Sequence, residues 1–296
     1  MPKPLIIALI VLGVLLAAAL VYSAISSGKT AESGSDLYKP KIQTHEALTA
    51  SLTAICQKYN QPAMACALIH KDQILVQATV GTIAAGETTA VDEKSRFHLG
   101  SVTKSMTALL IELLVKDGRL RYDMTLEEAL PQIEMRDEYR SITLHELLLH
   151  KGGIIAFQRT DAEDPKIAQA LWVDIPNKYP DLTKQREEMA RLALNLPPIN
   201  TPGTKPVYSN VGYAIAGLIA ETAMGKPYET LLSEMIFQPL GMTGARVGNW
   251  PASIDEPQHP RGHYPVPGEA PLAQELEDEY VLPGWMNPSG GVHCTI

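Results

Sequence analysis

The chain has 296 residues, 45% hydrophobic and 20% charged, with a formal charge of −8. An apolar fraction of that size without periodic low-complexity sequence excludes collagen, a long coiled coil and a disordered tail, and the length can bury a core without metals or cross-links. The acidic balance, with no long run of Lys and Arg, argues against nucleic acid as a partner, because such binding rests on clustered cations that neutralise phosphate.

From the N-terminus, Leu5–Tyr22 is an uninterrupted apolar run behind Lys3, and the polar stretch Ser26–Asp36 follows it. The run exceeds the roughly 7–15 residues of a cleaved signal core and approaches the length of a membrane span. Residues 1–26 are therefore expected to be either a signal peptide, with Ser23, Ala24 and Ser26 small enough for a peptidase, or a membrane anchor through residues 5–22. Residues 27–43 read as a polar linker. The working part, residues 44–296, is expected in the periplasm or outside the cell. Cys56, Cys66 and Cys294 show no CxxC spacing and read as buried free thiols, with a Cys56–Cys66 bridge as the alternative in an oxidising compartment.

Leu48, Leu52, Ile55 and Tyr59 recur at three and four, which predicts an amphipathic helix from Thr44 to Tyr59, stopped by Pro62. Ala63–Ile69 and Ile74–Val80 are short apolar runs joined by His70-Lys71-Asp72-Gln73, which predicts a β-hairpin with a four-residue turn. Gly81–Glu93 reads as a loop. An apolar helix is expected from Ser101 to Val115, ended by Gly118. Thr125 with Glu128 and Thr143 with Glu146 are capping boxes that start two more. Further helices are predicted at Lys184–Leu196, Val211–Ala223 and Tyr228–Ile236, and Trp250–Gly284 reads as a long surface loop. No internal repeat is visible. A hairpin followed by a mostly helical stretch predicts an α+β protein.

Ser101 and Lys104 form Ser-x-x-Lys at the start of the apolar helix, a spacing that puts both side chains on one face. A serine hydroxyl needs a neighbouring base to become a nucleophile, and a lysine can serve if burial and the positive helix end lower its pKa. That same end aims backbone N–H groups at a developing oxyanion. The spacing alone is equally met by a capping Ser and a solvated Lys. Tyr208-Ser209-Asn210 sits at a loop-to-helix junction, where a Tyr hydroxyl can enter a cleft as a base and Asn210 can hold a Lys amine and a substrate carbonyl. A core Tyr followed by an Asn helix cap fits the same residues.

The two stretches together, FHLGSVTKSMTALLI around Ser101 and PGTKPVYSNVGYAIAGLIAE around Tyr208, resemble the serine β-lactamase-like family of class C β-lactamases, DD-peptidases and related esterases. ITLHELLLHKGG, FQPLGM and PSGGV agree in order and spacing. The resemblance spans about Thr44 to Ile296. It implies the β-lactamase/transpeptidase-like fold, an antiparallel sheet flanked by helices beside a mostly helical subdomain. It also implies Ser101 as acylated nucleophile, Lys104 as its base partner, Tyr208 as general base and proton shuttle, and Asn210 as a contact to substrate and Lys. The expected function is an exported serine hydrolase that cleaves an ester, amide, β-lactam or D-peptide bond in a small-molecule or peptidoglycan-like substrate. No metal or organic cofactor is implied.

Family members carry a third motif, Lys-Thr-Gly or His-x-Gly, on a late strand that edges the site. No such strand is read here. His150-Lys151-Gly152-Gly153 has the wrong position, so the C-terminal strands of the sheet are expected to be missing, and a non-catalytic or fragmentary binding or regulatory relative is the alternative. Two zinc motifs fail on geometry: His145 and His150 are five apart, about 140° around a helix, and Pro260 and Gly262 break any helix between His259 and His263.

Overall fold

The computed structural model describes residues 44–157, 164–248, 259–264, 266, 269–273 and 282–296. The expected export segment and linker, residues 1–43, lie outside the described residues, as does most of 250–281. Among the described residues no helix is long and apolar enough to cross a membrane.

Helix α1 (His45–Tyr59) begins where the Thr44 hydroxyl accepts the Ala47 N–H and ends at Asn60 in the left-handed conformation. Its buried Leu48 and Leu52 pack with Val76 and Ala78 of the hairpin β1 (Ala63–His70) and β2 (Gln73–Gly81). The strands are antiparallel, paired from Ala63 opposite Gly81 to His70 opposite Gln73, with the register shifting by one residue between Leu68 and Ile69. Pairing therefore continues into the turn, leaving Lys71-Asp72, with Lys71 at φ +55°, in place of the expected four residues. Among the described residues the hairpin forms a sheet of its own, with α1 packed against it. Cys56 and Cys66 are free and half-buried, so neither full burial nor the bridge is found.

A second sheet was not legible in the sequence. Strands β3 (Phe97–His98), β4 (Arg246–Val247) and β7 (Val292–Cys294) pair antiparallel in the order β3-β7-β4. Two or three residues are too few to establish an alternating pattern. Part of the expected loop 250–284 also pairs, as β5 (His263–Tyr264) with β6 (Leu272–Ala273).

The rest is helical. A 3₁₀ turn, Gly100–Val102, leads into α2 (Thr103–Lys116), and Gly118 follows at φ +69°. Helices α3 (Leu126–Ala129) and α5 (Leu144–Leu148) start at the two predicted capping boxes, both fully formed. Between them lies α4 (Asp137–Arg140), too short for the sequence to announce. Helix α6 (Pro165–Gln169) passes through a π turn (Ala170–Asp174) into α7 (Ile175–Lys178). Helix α8 (Leu182–Asn195), capped by Asp181, starts two residues ahead of the predicted Lys184.

Helix α9 (Asn210–Met224) is buried on every side from Val211 to Glu221, as a helix apolar all round should be. Around it pack α2, α5, α8, α10 (Tyr228–Leu232, continued by a π turn to Phe237) and α11 (Asn287–Gly290). Gly217 makes the last contact close: a Cβ there would lie 2.4 Å from Pro288 Cγ. Arg186 of α8 is fully buried among Glu221, Glu229 and the Gly284 carbonyl.

Candidate active site

The chain reaches Ser101 from β3. Leu99 N–H donates to the Val292 carbonyl at 2.9 Å, and Val292 N–H donates to Thr103 Oγ1 at 3.1 Å, so β7 fixes both sides of the turn that carries Ser101. Gly100 makes that turn at φ +52°, a conformation glycine adopts without strain. Ser101 makes no capping bond in this 3₁₀ turn and is an exposed residue.

Lys104 is buried, at 6% exposure, which sets aside the solvated reading. Its Nζ donates to Ser101 Oγ at 3.3 Å, Asn210 Oδ1 at 2.8 Å and the Ser289 carbonyl at 2.7 Å. Three acceptors for three protons suit the ammonium, while burial pushes its pKa down to about 8. The amine is thus held in place yet able to release a proton near neutral pH.

Tyr208 is not a core residue. It is 38% exposed, and its hydroxyl donates to Ser101 Oγ at 2.7 Å. Lys104 Nζ lies 4.7 Å from the centroid of its ring. The cap of α9 is Ser209, not Asn210: Ser209 Oγ accepts from Gly212 N–H at 3.0 Å and donates to the Ile155 carbonyl at 2.8 Å. Asn210 is thereby left for the site. Its Nδ2 donates to the Phe157 carbonyl at 2.9 Å, which fixes the amide so that Oδ1 faces Lys104.

The four residues singled out in the sequence, Ser101, Lys104, Tyr208 and Asn210, thus meet at one point although about a hundred residues separate the two pairs. Three partners were missed. The carbonyls of Ser289 and Phe157 carry no side-chain signal, although Pro288–Val292 was a stretch that carried the resemblance. His150, stacked on Tyr208 with ring centroids 4.6 Å apart, was weighed only as a ligand or third-motif residue.

The Ser289 carbonyl is itself braced. Thr107 Oγ1 donates to the Pro288 carbonyl at 2.6 Å, Ser289 Oγ to the Met286 carbonyl at 2.8 Å, and His98 Nε2 to the Gly290 carbonyl at 2.6 Å. The other sequence candidates do different work. His145 meets Tyr122 edge-on, and His259 and His263 each accept a backbone N–H, from Arg96 and Ala85, at 3.0 Å. No group of three His, Cys, Asp or Glu side chains among the described residues is placed to hold a metal.

A strand-helix junction that presents a serine to a buried lysine, with a tyrosine and an asparagine from a second helix start, is the arrangement that the resemblance to the serine β-lactamase-like family implied. The sequence profile of the family described as Beta-lactamase matches residues 46–296, and the chain belongs to that family. Penicillin-binding protein 4 of Amycolatopsis lactamdurans is 30% identical over 191 residues, covering 64% of this chain and 45% of that protein. A beta-lactamase of Pseudomonas fluorescens is 24% identical over 152 residues, covering 51% of this chain and 37% of that protein. Among solved structures, a penicillin binding protein from Bacillus halodurans superposes with a TM-score of 0.61 at 21% identity, over 82% of this chain and 70% of that one. A class C beta-lactamase does so with 0.60 at 21%, over 83% and 59%. These structures share the fold. The chain spans less than half the length of the two curated relatives.

Proposed function

We propose that the protein is an exported serine hydrolase that forms an acyl-enzyme on Ser101 and transfers the acyl group to water. The observation that carries this reading is the convergence of Tyr208 Oη and Lys104 Nζ on Ser101 Oγ, at 2.7 and 3.3 Å. The nucleophile's proton has these two groups within reach. We assign it to Tyr208 as general base, with the Lys104 ammonium beside its ring. Ser101 Oγ bonds to the substrate carbonyl carbon, and the charge that develops on the oxygen faces the positive end of α2. Tyr208 then returns the proton to the leaving group. Water attacks the ester, giving a proton to Tyr208, which passes it to Ser101 Oγ as the bond to the acyl carbon breaks and the acid leaves.

The bond cleaved is an ester, amide, β-lactam or D-peptide bond in a small-molecule or peptidoglycan-like substrate. Relatives named as a penicillin-binding protein and a beta-lactamase support this range. A periplasmic or extracellular location, with residues 1–26 as signal or anchor and residues 44–296 as the hydrolase domain, completes the proposal. A fluorophosphonate probe followed by peptide mass mapping tests it. The adduct is expected on Ser101, absent in Ser101→Ala and slowed about 10²–10⁴-fold in Tyr208→Phe. Substrate binding without any adduct would instead support a non-catalytic relative.

A further inference from the structure

His150 touches three consecutive residues of the segment that carries Tyr208. Its carbonyl accepts the Val207 N–H at 2.8 Å, and its Nδ1 accepts the Ser209 N–H at 3.1 Å. Between these two bonds its ring lies against Tyr208, at 4.6 Å between centroids, with Tyr213 beside it at 5.1 Å. The backbone reaches this arrangement at φ +59°, a left-handed conformation that is strained for a non-glycine residue. Chain geometry is thus strained at the one residue that grips Tyr208 from both sides.

We propose that His150 is the positioning residue that holds Tyr208 against Ser101, and that it does so only as the neutral imidazole. A nitrogen that accepts a backbone N–H has its lone pair engaged there, so the neutral ring carries its proton on Nε2. Protonation puts a second N–H against the Ser209 N–H, and the grip on one side of Tyr208 is lost. The titratable groups facing the ring are Tyr208 and Tyr213 from the α9 side and Lys104 from α2. On its own segment Glu146 is engaged with Thr143, and Lys151 follows it in the chain. Burial, and then the charge of Lys104, hold the His150 pKa below its ordinary 6.5, so the neutral form prevails at neutral pH. The proposal rests on the serine-hydrolase reading for its kinetic consequence, although not for its geometry.

Two variants separate the contacts. In His150→Asn, the amide oxygen occupies the place of Nδ1 and Asn tolerates the left-handed backbone, so the Ser209 bond survives without a titrating ring. His150→Phe keeps the stacking face and loses the acceptor. Ser101 labelling by a fluorophosphonate is followed from pH 4.5 to 8 in the full chain. The wild-type rate is expected to fall with an inflection below pH 6.5 that His150→Asn lacks, while His150→Phe labels about 10–100-fold more slowly at pH 7.5. ¹³Cζ-tyrosine NMR, with the Tyr208 signal assigned from Tyr208→Phe, reads the same contact without any turnover. That signal is expected to titrate with His150 in the wild type and not in His150→Asn. An inflection that persists in His150→Asn, or a His150→Phe variant that labels at the wild-type rate, overturns the proposal. If the wild type takes no label, the hydrolase reading fails, and a Tyr208 signal indifferent to His150 then overturns this proposal separately.

Discussion

Replacing Arg186 with Met tests whether the helical body is held by its buried charges. Arg186 is fully buried, with Glu221 at 2% and Glu229 at 21% side-chain exposure. Its guanidinium donates Nε and Nη2 to Glu221 at 2.9 and 2.6 Å, and Nη1 and Nη2 to Glu229 at 3.0 Å each. Methionine fills much of the volume but strands both carboxylates. Removing one partner of a buried pair costs about 3–5 kcal/mol, and for a domain of this size each kcal/mol lowers Tm by roughly 2–4 °C. The expected loss is therefore about 6–20 °C in a circular-dichroism melt at pH 7.5.

The pH dependence supplies the sharper check. A desolvated, unpaired carboxylate binds a proton more readily in the folded than in the unfolded chain, so the variant gains stability as pH falls. The gap to wild type should shrink at pH 5, and adding Glu221→Gln to Arg186→Met should recover part of it at pH 7.5. A loss under about 2 °C, or a gap unchanged between the two pH values, would refute the reasoning. The network also reaches the active site, since Arg186 donates to the Gly284 carbonyl and Asn287 Nδ2 donates to Glu229 at 2.7 Å, just ahead of Ser289.

Two further outcomes are expected. Gly217→Ala should destabilise the protein by about 1–3 kcal/mol, because the new Cβ meets the rigid Pro288 ring, and that outweighs the roughly 1 kcal/mol by which Ala favours a helix. Displacing Pro288 also moves the Ser289 carbonyl from Lys104, so Ser101 labelling should slow; a variant with wild-type melting and labelling would show that the contact is slack. His293, whose Nε2 donates to the Gly248 carbonyl at 2.6 Å, has its pKa lowered to about 4, chiefly by burial and then by His98. Its folded value lies below the ordinary 6.5, so the unfolded chain binds the extra proton, and the contribution to stability is complete above pH 6.5 and is lost as pH falls toward 4. His293→Gln, which keeps a donor for Gly248, should flatten the decline of Tm between pH 6.5 and 4.5, and an unchanged slope would contradict that assignment.

The amino-acid sequence by itself determined the elements whose signal is local and long. The period of α1, the two short apolar runs of the hairpin, the Thr-x-x-Glu starts of α3 and α5 and the apolar run of α9 are each set by neighbours within a few residues, and each element is found. Ser101 with Lys104 was legible for the same reason. What only the tertiary structure decided are contacts between distant segments. The β3-β7-β4 sheet joins residues almost two hundred apart through strands of two or three residues. The carbonyls of Ser289 and Phe157 are chemically identical to any others until the fold aims them at Lys104 and Asn210. Ser209 caps α9 through the local Gly212 N–H, but its bond to the Ile155 carbonyl and that of Asn210 Nδ2 to the Phe157 carbonyl, which turns Oδ1 toward Lys104, each reach more than fifty residues along the chain. Side-chain type and short-range period are carried along the chain, but the direction of a backbone carbonyl or a hydroxyl is settled only when the core has packed.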